Sequence, residues 1–344
     1  MPQKMTKKLV LILFSIFLIF INSCNQISFG QSSSKPKDIN IYVGIEGLKA
    51  EFIKNAPPQQ VFENSNFPIM LKINNNGAYS ITEAPKGFMS LGTTDIAKPS
   101  FQPNIQASAE KDNAVSFVVD GKTTINPKGG EIILLFDTKT GKLDESSQSK
   151  PSTISATLCY PYKTTLSTTV CIDPDIAGVR PGKKACSVKT LAFSGGQGAP
   201  ISVTKIESQM IPNGDKVEPL FTIYIENRGS GKPLNIDSYS KFCFKDALTE
   251  QEKKTFYDTA IVKAYRSGDQ TTNQLVCNRN IKGSSDKLTG FVKFTDKKDS
   301  ITCSFTEGID KNSDAYTSPL RIEIDYGYEQ TISTNFVIQK PSKY

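Results

Sequence analysis

The chain repeats itself. Leu158-Cys-Tyr-Pro-Tyr-Lys-Thr-Thr-Leu-Ser-Thr-Thr-Val-Cys-Ile172 aligns without a gap on Ile324-Asp-Tyr-Gly-Tyr-Glu-Gln-Thr-Ile-Ser-Thr-Asn-Phe-Val-Ile338, 166 residues further on. Tyr160, Tyr162, Thr165, Ser167, Thr168 and Ile172 recur as Tyr326, Tyr328, Thr331, Ser333, Thr334 and Ile338. A second motif recurs near the start of each half. Ile69-Met-Leu-Lys-Ile73 runs into Asn75-Asn-Gly77, and Phe221-Thr-Ile-Tyr-Ile225 runs into Asn227-Arg-Gly229, 152 residues apart. Two motifs in the same order, twice, make two copies of one domain. The second copy is longer by 14 residues between the motifs.

Both motifs read as β. Phe221, Ile223 and Ile225 alternate with Thr222 and Tyr224, and Leu320, Ile322, Ile324, Tyr326 and Tyr328 alternate with Arg321, Glu323 and Asp325. A period of two with one apolar face is a strand lying on a core. Asn-X-Gly after a strand supplies a turn. Further strand-like runs span 114–119, 131–136 and 290–295. Short strands separated by turns predict an all-β chain of two tandem sandwiches. Domain 1 is expected at 40–173, a Gly/Pro/Lys-rich linker at 174–199 and domain 2 at 200–340. The four tyrosines of the repeat are expected in the core. The extra residues of the second copy include Thr249-Glu-Gln-Glu252, a capping-box pattern that predicts a short helix over 250–256.

These motifs resemble the immunoglobulin-like modules of prokaryotic surface proteins, in particular the CARDB-type group. There a strand ending in Asn-X-Gly opens the domain and a strand pair closes it. The Ser194-Gly-Gly-Gln-Gly-Ala-Pro200 run is also similar to uncharacterised archaeal surface proteins. The resemblance implies a fold and an extracellular setting, and no activity.

Residues 1–23 support that setting. Lys4, Lys7 and Lys8 precede an apolar run from Leu9 to Ile21, too short for a membrane span of roughly 20 residues and fitted to a secretory signal. Ile21-Asn-Ser-Cys24 resembles a bacterial lipobox, with Asn22 departing from the usual pattern. The resemblance implies lipid on Cys24 and a membrane partner. The other reading is an ordinary signal or an uncleaved anchor. Residues 24–39, a Ser/Gly/Gln/Lys/Pro segment, then form a flexible tether. The expected location is the cell envelope, facing outward.

Net charge is +7, and residues 1–23 carry three lysines and no acid, which leaves +4 without them. That excludes a dedicated nucleic-acid binder. Cys159, Cys171, Cys186, Cys243, Cys277 and Cys303 make an even set, expected as disulfides in an exported chain. If Leu158–Ile172 is a hairpin centred on Thr165, Cys159 and Cys171 face one another. Both are replaced together in the second copy, by Asp325 and Val337. The remaining four allow three pairings, with Cys277–Cys303 and Cys186–Cys243 preferred.

Chemistry is sparse. The chain has no histidine, which removes Ser-His-Asp and Cys-His nucleophile systems and His-bound zinc. No P-loop, G-x-S-x-G or G-x-G-x-x-G is present. Asp310, Asn312 and Asp314 resemble the first half of a calcium loop, but Ala315 stands where glycine is expected. Calcium is therefore the one cofactor considered, against a plain polar turn. Three functions remain, in order: a non-enzymatic surface lipoprotein binding a protein or glycan, as in adhesion; a subunit of a surface fibre or coat; and an envelope hydrolase using carboxylates or Ser-Lys. Residues 237–280, where the copies differ most, are the expected recognition region.

Overall fold

Apolar and polar residues alternate along most of the chain, and strands form where they do. The computed structural model describes residues 39–92, 100–110, 114–244, 248–266, 273–279 and 288–341. Cys24, the signal segment and nearly all of the tether lie outside the described residues. Repeat 1 carries β1 (Leu48–Phe52), β2 (Gln60–Phe62), β3 (Asn66–Asn75), β4 (Gly87–Gly92), β5 (Ser100–Gln102), β6 (Ala107–Ala109), β7 (Ala114–Phe117), β8 (Glu131–Lys139) and β9 (Ser149–Ile172). Next come β10 (Leu191–Ala192), β11 (Ile201–Asn213), β12 (Lys216–Asn227) and β13 (Lys232–Leu234). Helices α1 (Tyr239–Cys243) and α2 (Glu250–Phe256) follow. The chain closes with β14 (Thr259–Arg266), β15 (Val276–Cys277), β16 (Gly290–Lys293), β17 (Lys298–Ser304), β18 (Ile309–Asp310) and β19 (Tyr316–Gln339).

The protein is all-β, built as two sandwiches. One outer sheet runs β1-β3-β8-β5 and the other β10-β11-β12-β17-β15, with β18 beside β12. Both lie on a third sheet, β16-β14-β19-β9-β4-β7-β6, which carries β13 and β2 on the edge of β19. Strand β3 buries Phe67, Ile69, Leu71 and Ile73, and its counterpart β12 buries Phe221, Ile223 and Ile225.

The repeat motif is not a hairpin. Each copy lies within a single strand of 24 residues. Strands β9 and β19 pair antiparallel along their whole length, from Tyr316 opposite Ile172 to Gln339 opposite Ser149. Pro161 faces Gly327, which is its own counterpart in the second copy. A pseudo-twofold axis therefore passes between these two residues. Each long strand crosses both sandwiches. Phe336 at the end of β19 meets Phe67 of repeat 1, with ring centroids 5.6 Å apart. Thr164 on β9 donates its hydroxyl to the carbonyl of Ile201 in repeat 2, at 2.7 Å. The apolar core runs without a break through both repeats.

A single strand rules out the Cys159–Cys171 bridge. Twelve residues at about 3.3 Å each place the two cysteines roughly 40 Å apart. Cys159 bonds instead to Cys243 on α1, and Cys171 to Cys186, so Cys186–Cys243 is not formed either. Cys277 and Cys303 are joined. They are cross-strand partners at the place where repeat 1 sets Phe101 against Phe136, with ring centroids 5.1 Å apart. A covalent bond in one sandwich thus stands for a ring contact in the other.

The glycine-rich linker is ordered. Gln197 is buried and holds both backbone groups of Val203, accepting its N–H and donating to its carbonyl. Gly196 has φ +70°, and a Cβ there would meet the carbonyl of Gly44 at 2.2 Å. Glycine permits a tight crossing here, not slack.

Candidate functional site

At the pseudo-axis, Tyr160 lies opposite Tyr328 and Tyr162 opposite Tyr326. All four rings are buried. The two Asn-X-Gly turns hold this cluster in the same way. The Asn75 carboxamide oxygen accepts from the Tyr162 hydroxyl at 3.0 Å and from the Gly77 N–H at 3.2 Å. Asn227 accepts from the Tyr328 hydroxyl and the Gly229 N–H at the same two distances. The other end of each carboxamide donates to a backbone carbonyl, of Tyr79 and Gly231 respectively. Buried amides with both ends satisfied fix the turn against the ring.

Burial holds the phenols neutral. It pushes Tyr328 up to about 12, even with its hydrogen bonds to Gly231 and Asn227 pulling the other way. Burial also raises Tyr160 and Tyr326 well above the ordinary range. In an unfolded chain these phenols ionise near about pH 10. Their contribution to stability is therefore whole below that pH and falls as pH climbs toward and past 12. The urea midpoint should be flat from about pH 8 to 9.5 and drop steeply by about pH 11.5. Phenolate absorbance from these four should rise only with unfolding.

The outer face of the shared sheet carries the insertion of repeat 2. Helix α1 lies across β9 and β4, where Tyr239 donates its hydroxyl to the Lys86 carbonyl at 2.6 Å. Phe88 meets Phe244 with centroids 5.1 Å apart, and Phe242 meets Tyr257 at 4.6 Å. Tyr239 and Phe242 with Cys159, Cys243 and Leu234 form a second apolar cluster, separate from the main core, against which Phe88 and Tyr257 pack. The Cys159–Cys243 bond fastens this pad to the middle of β9.

Helix α2 is where the capping box predicts it, and it buries none of its residues. Seven residues make too short a helix to persist alone. Both of its ends are held. Thr249 accepts the Glu252 N–H at 3.2 Å, and the Glu252 carboxylate accepts the Thr249 N–H at 2.9 Å. The Thr249 N–H foremost, and then the Thr249 hydroxyl, which donates to the same carboxylate at 2.9 Å, hold the Glu252 carboxyl below its usual range. At the other end Lys293, from β16, donates to the Lys254 carbonyl at 2.7 Å and to the Tyr257 carbonyl. Burial lowers the Lys293 ammonium, with Asp258 opposing. A cation at a helix C-terminus meets the exposed carbonyls and the favourable end of the dipole. The exposed surface of α2 presents Glu250, Gln251, Lys253 and Lys254. Residues 245–247, 267–272 and 280 of the expected recognition region lie outside the described residues.

Groups for catalysis or metal binding do not converge among the described residues. The Asp310 carboxylate accepts the Asn312 N–H at 2.7 Å, so it shapes a turn at the end of β18. Asp314 instead lines a cavity to which Asp173, Asp175 and Arg180 also contribute. Among the described residues no three Asp, Glu, Cys or His side chains gather as a metal site. Asp173 and Asp175 form an adjacent carboxylate pair bridged by Lys184, at 2.7 and 3.2 Å. Asp175 also accepts the N–H groups of Val179 and Arg180, at 3.1 and 3.2 Å. Burial would raise its carboxyl, but these bonds and the Lys184 ammonium outweigh it and hold it low. Both acids are thereby committed to folding the loop that Cys171–Cys186 closes.

No protein-family model matches the chain, and no curated protein is similar to it in sequence. Among solved structures, it aligns with the C-terminal domain of the Streptococcus agalactiae AgI/II polypeptide BspA at 9% identity. That alignment covers 85% of this chain and 100% of that one, with a TM-score of 0.18. A partial N-terminal region of an enterococcal surface protein aligns at 8% identity over 84% of this chain and 85% of that one, with a TM-score of 0.19. A structure titled for Gaeumannomyces graminis manganese lipoxygenase and part of Komagataella pastoris zonadhesin aligns at 10% identity. It covers 87% of this chain and 94% of that one, with a TM-score of 0.20. Scores this low assign the chain no function.

Proposed function

We propose that the protein is a non-enzymatic lipoprotein of the cell envelope that binds a surface protein or glycan through the face bearing α2. The observation behind this reading is a helix with no fully buried residue, touching the pad only through Phe256 at its end, yet capped at both ends. It stands beside an apolar pad that a disulfide fastens to the sheet. Packing explains the pad and, through Phe256, the end of the helix, but not the turn over 250–255. Display of its polar surface explains it. Lipid on Cys24, followed by a tether, would hold the body at the membrane with that face free.

The test is crosslinking on intact cells, followed by mass spectrometry of the attached proteins. Wild type, Cys24→Ser and a form with 250–255 replaced by a Gly/Ser segment are compared. The replacement keeps Phe256, which packs against the pad. The expected result is one dominant foreign partner, lost with the replacement while the melting temperature holds within a few degrees. Cys24→Ser should leave the washed membrane fraction. Unchanged crosslinks in the replaced form would remove α2 from the binding face. Crosslinks only between copies would point to a coat or fibre, and equal membrane recovery of both forms would remove Cys24 as the anchor.

A further inference from the structure

The shared sheet has a bare edge. Strand β4 pairs with β9 only from Ser155 to Cys159. Beyond that, among the described residues, no strand lies on that side of β9 up to Ile172. Across from it runs β10, which pairs only with β11 and is the end strand of its own sheet. Two cavities take residues from β9, from the β10 region and from the neighbouring β19. One, of about 520 Å³, is lined by Thr165, Ser167 and Phe193, by Arg321 of β19, and by Asn40, Tyr42 and Val43. The other, of about 390 Å³, is lined by Thr169, Cys171, Lys189 and Leu191. Together they follow β9 from Thr165 to Cys171, about 20 Å of strand.

We propose that this slot takes an extended, acidic segment of a partner polypeptide, added as a strand to the edge of β9. An unpaired edge offers a row of N–H and C=O groups to such a strand. The chain does this to itself at the equivalent edge in the other sandwich. There β2 lies parallel on β19, and Val337 and Gln339 bond to the backbone of Gln59 and Glu63. Charge selects the occupant. The residues lining the two cavities include Arg321 and Lys189 and no acid. Arg321 is paired with Glu323 at 2.6 Å, while Lys189 has no ion-pair partner among the described residues. The chain's own residues 24–38 carry Lys35 and Lys37 against the single Asp38, so they match the slot poorly. Two copies meeting edge to edge would bring the same cations together.

This inference rests on the protein being a binding module, and its test separates the two. A random dodecapeptide phage library is panned on residues 24–344, and the enriched peptides are measured by interferometry against Lys189→Glu, Thr169→Trp and the α2 replacement. Thr169 is exposed, so the tryptophan fills the slot from the solvent side. Thermal unfolding confirms that each variant is folded, and Ser167→Glu serves if Thr169→Trp is not. The expected result is acidic peptides with alternating β-branched residues. Their affinity should fall about tenfold or more in both slot variants and hold in the α2 replacement. Peptides rich in Lys and Arg, peptides indifferent to both slot variants, or no enrichment would each overturn the slot. The α2 reading would stand or fall separately, on the cell crosslinks. Enrichment on residues 40–344 but not on 24–344 would show that the chain's own tether fills the slot, and would also overturn it.

Discussion

Residues 40–173 produced alone will not fold as a monomer. Half of β9 would then have no sheet to cover it, since its core-facing residues from Thr164 to Ile172 lie toward repeat 2. Repeat 1 would also lose Phe336 and Ile338, both buried and both supplied by β19. Full burial of such side chains is worth roughly 1.5–3 kcal/mol each, comparable to a sizeable share of a domain's net stability. The fragment has one remedy. Because Pro161 faces its own counterpart, a second copy of β9 can take the place of β19 in the same register. The expected product is a dimer, with Tyr160 of one copy opposite Tyr162 of the other. Light scattering on the eluted fragment checks this, and a folded monomer would contradict it. Fragments 40–199 and 200–344 produced together should reassemble into a one-to-one complex.

Alanine at Gly77 should be among the most damaging small substitutions in the chain. A Cβ there would lie 1.8 Å from the Tyr162 hydroxyl, 2.5 Å from the Gly198 carbonyl and 2.8 Å from that of Glu46. Two of these neighbours are backbone and the third is a buried ring, so none can give way cheaply. A loss of about 3 kcal/mol is expected. Gly229→Ala should follow, since its Cβ would stand 2.3 Å from the Tyr328 hydroxyl. Gly195 is the control: nothing lies within 4 Å of a Cβ there, and alanine should shift stability by less than about 0.5 kcal/mol. Urea unfolding of the three variants tests the ranking. Equal midpoints for Gly77→Ala and Gly195→Ala would mean that the turn yields.

Much of this architecture is legible in the residues. Alternation identifies β3, β12 and β19, and Thr249 with Glu252 marks α2 to the residue. The repeat shows that there are two copies. It cannot show that the copies meet through their longest strands, because pairing between distant segments leaves no local periodicity. The hairpin reading fails for that reason, and the Cys159–Cys171 pair with it. Pro161 warns against simple strand pairing on both sides, yet nothing local says which partner β9 finds. Asn-X-Gly reads in sequence as turn chemistry alone. Its second task, receiving a tyrosine hydroxyl 87 residues away in one copy and 101 in the other, is visible only in three dimensions. The Lys293 cap on α2 and the slot beside β9 are likewise products of tertiary contact.

The 24-residue ladder also sets how the body answers a load. Two beads on a string give way one after the other, each absorbing a pull in turn. Here neither sandwich can open without stripping strands from the other, because β9 and β19 belong to both. A pull on the body therefore meets one joint yield point and has no weaker bead to sacrifice first.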